Sequence, residues 1–463
     1  MTVRNHRGTI RSNHAAITRV RGACPNEEAF LTNPLTAGAA RLDITPPPGL
    51  DLTGFIARQN PSTGVRDPLY ARALVLHRAQ RDAVIVTCDL LGFSEALRDV
   101  VRTRIRLATG LPGPAILLAA SHTHAGPAVT ALQDCGDPDP AYVDDLAQRL
   151  TVVVSRAFAA QQPVTVAAGR AESTVGVHNR RIPGDVIDPA VELVRLDNAR
   201  GETIATLVNY ACHPTTLFYD NRLVSADYPG LVARRIEEST GGVALFLTGA
   251  IGDVGPVTRG EESLATIGNA VADAALAALP GLCSVGDPVL DTAGGLVRLP
   301  LLPIPDRTEW LRLREEYRSA ALAAEAQAQP LQAKVAWAMT RWVEAMFERM
   351  QAGTLRPDVE AEVQLIGLGD VVIVGVPGEY FVELGLALKA QLPARQVLVV
   401  GFANHNIGYI PARRAYPHGG YEIAEAYKYY GYPAALAPEA GELIIEAALS
   451  YARRDLQALN AGA

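Results

Sequence analysis

Five short apolar runs each end abruptly in polar residues, and this is the most regular pattern along the chain. The runs cover residues 115–120, 203–211, 243–247, 371–376 and 397–402. Short runs rich in Val, Ile and Leu are typical of buried β-strands. In α/β sheets, functional side chains gather where strands give way to loops. We therefore expect the residues that follow these five runs to converge in space.

Other segments show the helical spacing of apolar residues that predicts amphipathic helices. The predicted helices are Glu95–Thr109, Ala141–Ala160, Tyr228–Glu238 and Glu261–Leu279. Two more strands, Tyr70–His77 and Ala83–Asp89, are predicted on either side of a turn at 79–82.

The segment 307–352 differs from the rest because it is rich in Ala, Glu, Arg and Gln. Its aromatic and methionine residues recur at helical steps and Pro330 interrupts them, which predicts a helical hairpin. All three tryptophans and three of the four methionines lie in this segment. This concentration favours a packed core stripe, with a lid over the substrate or a subunit interface as alternatives.

Metal-ligating residue types follow the predicted strands. His122 and His124 come directly after the first run, and two residues apart in extended backbone they point the same way. His213, Glu379 and Tyr409 follow three of the other runs. Imidazole is the commonest metal ligand and titrates near neutrality, so the set favours a metal or acid–base site. Two histidines that merely bond loop carbonyls are the alternative.

A series of short motifs runs through the chain in a fixed order. They are Arg41-Leu42-Asp43-Ile44-Thr45-Pro46, Leu52-Thr53-Gly54-Phe55, Ser121-His122-Thr123-His124-Ala125-Gly126-Pro127, Asn179-Arg180, Asn209-Tyr210-Ala211-Cys212-His213-Pro214, Gly252-Asp253-Val254, Pro377-Gly378-Glu379, Gly408-Tyr409 and Gly420-Tyr421-Glu422. With these motifs, over about residues 36–280 and 358–450, the chain resembles the catalytic domain of the neutral and alkaline ceramidases. Those enzymes are zinc hydrolases that cleave the amide between a fatty acid and a sphingoid base. The resemblance implies an α/β fold, a mixed-sheet layered catalytic domain of the neutral ceramidase type, with the helical hairpin inserted.

Carried over residue by residue, the resemblance implies a Zn²⁺ ion bound by His122, His213, Glu379 and Tyr409. The donor types suit this ion. Two imidazoles and one carboxylate leave Zn²⁺ a net positive charge and an open position, which lowers the pKa of bound water toward ~7. The phenol of Tyr409 would be a rarer and weaker fourth ligand.

The resemblance also implies residues around the substrate. His124 would take or give a proton as the amide breaks, and Arg180 would offer its fork of donors to a carbonyl oxygen or a carboxylate. Tyr421 could donate to the developing oxyanion. Asp253 would either orient His122 or His213, or cap a helix.

Two departures from the family's pattern bear on the substrate. Ceramidases carry a serine after Gly-Asp-Val, beside the substrate, where this chain has Gly255. They also carry a C-terminal β-sandwich domain that has no counterpart in this sequence. We therefore do not expect a membrane-embedded lipid as the natural substrate, and a serine-dependent mechanism is excluded.

Composition narrows the function classes. The 463 residues are 49% hydrophobic with a formal net charge of −7 and no basic stripe, which argues against nucleic-acid binding. Five cysteines show no Cys-x-x-Cys spacing, and the odd count fits a reducing compartment. No secretory signal or membrane span is predicted, so the expected location is cytoplasmic. Association into a homo-oligomer stays open.

These observations predict one catalytic domain over 36–450, preceded by an N-terminal arm at 1–35 and followed by a tail at 451–463. The predicted function is hydrolysis of a linear amide in an N-acyl compound, with a small-molecule or lipid-like amide as substrate. One alternative is the same zinc site acting on another acyl or strained bond of a small molecule. Another is a metal-stabilised binding protein without turnover. A barrel amidohydrolase with a His-x-His motif is a further alternative. It is disfavoured, because such enzymes carry the histidine pair on the first strand of the barrel, whereas here the pair comes late in the chain.

Overall fold

Two β-sheets lie face to face, and helices cover the outer face of each. The computed structural model describes residues 33–460. Its strands are β1 Thr36–Asp43, β2 Gly64–Val65, β3 Tyr70–Arg78, β4 Arg81–Cys88, β5 Ile116–Ala120, β6 Gln162–Glu172, β7 Val177–Asn179, β8 Ala190–Asn198, β9 Thr203–Tyr210, β10 Leu223–Val224, β11 Val243–Thr248, β12 Val254–Pro256, β13 Cys283–Ser284, β14 Leu290–Pro300, β15 Asp358–Leu368, β16 Val371–Gly375, β17 Glu379–Tyr380, β18 Gln396–Val400 and β19 Tyr409–Ile410. Its α-helices are α1 Glu95–Thr109, α2 Pro140–Ala159, α3 Asp227–Thr240, α4 Glu261–Ala278, α5 Arg307–Ala326, α6 Pro330–Gln351, α7 Val382–Gln391, α8 Tyr421–Ala424, α9 Ala426–Tyr429, α10 Ala440–Asp455 and α11 Gln457–Asn460.

The large sheet has the order β11-β9-β8-β6-β1-β3-β4-β5, with β13 added beside β6, and the small sheet has the order β14-β15-β16-β18. Both sheets mix the two orientations: β4–β5, β9–β11 and β16–β18 are parallel, and the other neighbours are antiparallel. The predicted mixed-sheet, layered α/β fold is confirmed.

The core between the sheets is apolar because each strand turns one face toward the other sheet. Leu117 and Leu207 of the large sheet belong to the same buried cluster as Ile373 and Leu398 of the small sheet. The outer faces are covered by α1 and α2, by α3 and α4, and by α7 and α10. One buried amide joins the sheets, since Asn209 Nδ2 donates to Leu247 O at 2.9 Å and to Val399 O at 2.8 Å.

The apolar pattern predicted the main elements correctly. All five runs are strands, namely β5, β9, β11, β16 and β18. The four predicted helices are α1 to α4, and each predicted helix end lies within two residues of the observed end. Helix α1 begins where expected because Ser94 Oγ accepts from Leu97 N, and it ends at Gly110, which adopts φ +80°. The predicted strand pair is β3–β4.

The predicted helical hairpin is α5 and α6, with the bend at residues 327–329. Its stripe is a small core of its own, in which Trp310, Trp342, Val343 and Met346 are buried. This agrees with the packed-core interpretation of the stripe.

The chain ends differ from the predicted boundaries. Residues 1–32 of the predicted N-terminal arm lie outside the described residues, whereas Leu35 is buried between the sheets. The boundary drawn at residue 450 falls inside α10, because the helix continues to Asp455 and Leu456 packs in the core of the small sheet.

One described helix, over Glu261–Gly281, is long and apolar enough to span a membrane by length and composition alone, although no span was predicted. Its residues Ile267, Val271 and Ala275 are buried against the outer face of the large sheet. It packs as a core helix.

Candidate metal centre

Three imidazoles meet at the ends of two strands of the large sheet. His122 and His124 follow β5, and His213 follows β9. His122 Nε2 lies 3.1 Å from His213 Nε2 and 3.2 Å from His124 Nε2. The three side chains are nearly buried, with 1%, 9% and 1% exposure for His122, His124 and His213.

Backbone carbonyls hold each ring in this orientation. The Nδ1 atoms lie 2.7 Å from Leu91 O for His122, 3.1 Å from Gly54 O for His124 and 3.3 Å from Ile251 O for His213. A neutral imidazole that donates from Nδ1 presents a lone pair at Nε2. All three lone pairs are therefore directed at one another.

The backbone at His122 shows that this orientation costs conformational energy. His122 adopts φ +66°, a region that L-residues with a side chain rarely enter. Its ring stacks on Phe402 with the centroids 3.8 Å apart and an interplanar angle of 15°. Phe402 also has positive φ, +55°. Both strand ends are thus bent to bring these rings together.

The donor set fits a metal ion. The Nε2 atoms of His213 and His124 lie 3.1 and 3.2 Å from His122 Nε2, and facing lone pairs at these distances repel one another unless a cation lies between them. Tetrahedral ligands at about 2.0–2.1 Å from Zn²⁺ have their nitrogens about 3.3 Å apart, close to the distances observed. His122, His124 and His213 are compatible with a metal site.

A carboxylate faces the imidazoles from the short strand β17, which pairs with β19 in a two-stranded sheet of its own. Glu379 lies in β17 and is 2% exposed. Its Oε2 lies 3.8 Å from His122 Nε2 and 3.6 Å from His213 Nε2 and has no hydrogen-bond partner in the described part of the chain. An orphaned buried carboxylate oxygen is costly. It points to a cation as its missing partner.

Burial sets the protonation of these groups. It lowers the pKa of His122 to about 3 and those of His124 and His213 well below the ordinary value, with further lowering by nearby cationic groups. Burial raises the pKa of Glu379 to about 7, against the opposing charge of Arg180. Neutral imidazoles are the form that binds metals.

The predicted fourth ligand lies on the strand next to Glu379. Tyr409 is in β19, which pairs with β17 so that Glu379 and Tyr409 are register partners. Its phenolic oxygen accepts from Arg180 Nη2 at 2.8 Å, and the same nitrogen donates to Gly252 O at 2.7 Å. Arg180 Nε is buried and has no hydrogen-bond partner among the described residues.

The remaining predicted residues lie around this centre at different distances. Tyr421 is 49% exposed, and its ring centroid is 5.9 Å from that of Tyr409. A Cβ on Gly255 would lie 3.7 Å from His213 Cβ and 3.9 Å from Arg180 Cδ, in ordinary contact. The structure thus brings the predicted residues together, and their roles stay predictions.

Asp253 is the exception. Its carboxylate accepts from Asn179 Nδ2 at 2.9 Å and from Val382 N at 2.8 Å, at the start of α7. The hydrogen bonds of its carboxylate in the described residues include none to His122 or His213. The bond to Val382 N agrees with the predicted helix cap, and the orientation of His122 or His213 by Asp253 stays a prediction.

Sequence reasoning missed two residues that hold the centre. Tyr430 donates its phenol to Glu379 Oε1 at 2.7 Å. Arg58 is buried and donates Nη2 to His124 O at 2.8 Å and Nη1 to Thr53 O at 2.9 Å. No local pattern marks either residue, since Glu379 lies 51 residues from Tyr430 and His124 lies 66 residues from Arg58.

Aromatic residues line one side of the approach to His124. The ring of Phe55 lies 4.7 Å from that of His124, and Phe218 lies 5.1 Å from Phe55. Phe218 and its neighbour Tyr219 are 38% and 43% exposed. The apolar approach therefore reaches the surface.

Comparisons with known proteins place this site in context. A neutral ceramidase of Mycobacterium tuberculosis is 24% identical over 474 aligned positions, covering 84% of this chain and 73% of that protein. A neutral ceramidase of Pseudomonas aeruginosa is 25% identical over 251 residues, covering 48% of this chain and 37% of the length of that relative. No family model matches the chain.

Two solved structures have the same fold. The crystal structure of the Pseudomonas aeruginosa neutral ceramidase superposes with a TM-score of 0.71 at 19% identity, covering 92% of this chain and 75% of that one. A ceramidase complexed with C2 also gives 0.71, at 18% identity and with coverages of 91% and 76%.

Proposed function

We propose, because this chain is related to the neutral ceramidases in sequence and in fold, that it is a zinc-dependent hydrolase of a linear amide. The observation that supports this most is the set of three converging Nε2 lone pairs facing the orphaned Oε2 of Glu379. Imidazole nitrogens with one carboxylate oxygen are the donors typical of catalytic Zn²⁺.

His122, His213 and Glu379 would hold the ion, with Tyr409 beside them. Bound there, a zinc ion would supply an activated water at neutral pH and polarise the amide carbonyl. The rest of the chemistry belongs to the chain's own side chains.

Three residues then act on the substrate in this proposal. His124 Nε2 takes a proton and returns it to the leaving nitrogen, because its Nδ1 is already committed to Gly54 O. Arg180 keeps the phenol of Tyr409 in place and has Nε free for a carbonyl oxygen. Tyr421 is exposed enough to reach the developing oxyanion.

We propose an N-acyl compound as the substrate class. The apolar approach formed by Phe55 and Phe218 suits an acyl chain. Ceramide itself is expected to be a poor substrate, because Gly255 offers no hydroxyl beside His213 and Arg180.

Metal analysis together with a turnover assay tests the proposal. The purified protein should hold about one zinc per chain and hydrolyse at least one member of a panel of N-acyl amino acids, N-acyl amines, peptides and ceramide. Removal of zinc with a chelator should abolish hydrolysis, and zinc should restore it. Bound zinc without turnover on any panel member would favour the binding-protein alternative. Ceramide hydrolysis matching the best panel member would contradict the expectation that ceramide is a poor substrate.

A further inference from the structure

A phenol from a distant part of the chain helps to orient Glu379. Tyr430 Oη donates to Glu379 Oε1 at 2.7 Å, while Oε2 of the same carboxylate faces His122 and His213. With one oxygen tied, rotation of the carboxylate about its last bond is restrained. The free oxygen is therefore directed at the imidazoles by Tyr430.

The loop that carries Tyr430 is fastened to helix α6. Trp342 Nε1 donates to Tyr432 O at 2.9 Å, and Arg349 Nη1 donates to Gly431 O at 3.0 Å. These two carbonyls belong to the residues that directly follow Tyr430. The hairpin thus holds the backbone of the loop on the C-terminal side of the phenol.

On the other side of Tyr430, Lys428 fastens the same loop to both helices of the hairpin. Its ammonium lies 3.0 Å from Tyr317 Oη and 2.7 Å from Glu425 Oε2. It also lies 5.5 to 5.7 Å from the ring centroids of Tyr317, Trp342 and Tyr427. The side chain is only 7% exposed, where cation–π contacts are strongest. Tyr317 belongs to α5 and Trp342 to α6.

We propose that the α5–α6 hairpin is a brace for the metal centre and that Tyr430 is a positioning residue, which sets the free oxygen of Glu379. This inference rests on the proposed metal-dependent function. It gives the hairpin a role in holding the metal, which its packed tryptophan core alone does not imply. Groups that hydrogen-bond metal ligands typically change metal affinity by ~10–100-fold when they are removed.

The rate of metal loss tests the contact between Tyr430 and Glu379. Zinc-loaded protein is mixed with excess chromogenic chelator, and release of the ion is followed over time. Tyr430→Phe, which removes only the phenolic oxygen, should release zinc ~10–100-fold faster than the parent protein. Tyr429→Phe is the matched control, because the neighbouring phenol makes no contact with Glu379 among the described contacts, and it should leave the rate unchanged.

A second pair of variants tests the attachment of the Tyr430 loop to the α5–α6 hairpin. Trp342→Phe removes the indole donor to Tyr432 and should speed zinc release by ~2–10-fold. Trp337→Phe is the control on the same helix, since its indole donates to Glu325 on α5 and not to the loop. Equal rates for the two tryptophan variants would overturn the brace.

A double-mutant cycle separates positioning from general destabilisation. In a Glu379→Gln background, Tyr430→Phe should add little to the rate of zinc release, because its effect passes through the carboxylate. If Glu379→Gln holds no zinc, Glu379→Asp replaces it, and its shorter side chain should likewise abolish the Tyr430 effect. Equal rates for Tyr430→Phe and the parent would overturn this inference alone. A parent protein that binds no zinc would overturn the proposed function as well.

Discussion

The histidines and Glu379 face the same point but are held in different ways. Each histidine is oriented by a backbone carbonyl, from Leu91, Gly54 or Ile251, at the end of a buried strand. Glu379 is oriented by a side chain, Tyr430, which lies 51 residues further along the chain. The orientation of the three histidines is therefore set by the backbone at the ends of strands in the large sheet. The orientation of Glu379 depends instead on how the loop that carries Tyr430 packs against the helical hairpin.

The largest effect is expected on the histidine side. His213→Ala should remove the bound zinc and reduce turnover to background, because the other donors cannot close the site alone. Metal content per chain and hydrolysis of the best panel substrate are measured together. His77→Ala is the control, since His77 bonds Asp82 at the β3–β4 turn. Zinc retained at full occupancy in His213→Ala would break the assignment.

The next effect distinguishes His124 from the other two imidazoles, since the described ion-pair contacts of Glu379 Oε2 are with His122 and His213. If His124 moves a proton, His124→Ala should keep zinc and lose ~10²–10⁴ in turnover. Loss of zinc instead would make it a ligand, so that all the imidazoles on the large-sheet side would bind metal. Elemental analysis of the variant decides between these outcomes.

Acid should weaken the metal-free protein through the buried histidines. The pKa of each is lowered by burial in the folded state and returns to about 6.5 on unfolding. Below that pH the unfolded chain binds protons at the histidines that the folded chain refuses, so their contribution to the free energy of unfolding falls as pH falls, while Glu379, whose pKa is raised to about 7 by burial, contributes in the opposite direction. The limiting slope is ~1.4 kcal/mol per pH unit for each histidine, and the effect vanishes above about pH 7. Urea unfolding of chelator-treated protein from pH 8 to 5 measures it.

His122→Gln should flatten that slope by the contribution of one histidine. Identical slopes in the parent and His122→Gln would show that the acid sensitivity arises elsewhere.

The smallest effect is expected at Gly255, beside His213. A serine fits sterically, because its Cβ would meet no atom closer than 3.7 Å. Its hydroxyl would nevertheless enter the space between His213 and Arg180, and when a bound substrate fills that space the hydroxyl goes unpaired, which costs the complex about 1 kcal/mol or more. Gly255→Ser should therefore lower kcat/KM on the best substrate by about fivefold or more at unchanged thermal stability. Improved turnover of the native substrate would contradict this.

The sequence predicted the histidine side of the centre better than the other side. Apolar runs gave β5 and β9, and His122 and His213 follow them directly, so local pattern was enough. Asp253 follows β11 in the same way, yet its carboxylate caps α7. The pattern alone cannot distinguish a ligand-orienting carboxylate from a capping one, since both sit at strand ends.

Tyr430 and Arg58 could not have been found from local pattern. Tyr430 is one of several tyrosines in its loop, and only the packing of α6 on Tyr432 and Gly431 decides which of them reaches Glu379. Arg58 meets His124 across 66 residues of chain. Contacts of this range follow from tertiary packing, which periodicity does not encode.

The donors of the centre come from two separate stretches of the chain, one before and one after the bend between α5 and α6. The histidines all precede the exposed α5–α6 bend at residues 327–329, whereas Glu379, Tyr409 and Tyr430 all follow it. A chain cut at that bend would leave each fragment with an incomplete set of donors. The fragments would meet again through the β14–β15 pairing and through any ion between His213 and Glu379. Reassembly of the two fragments would then depend on zinc. The ion would link the early and late parts of the chain, and a chelator would remove that link.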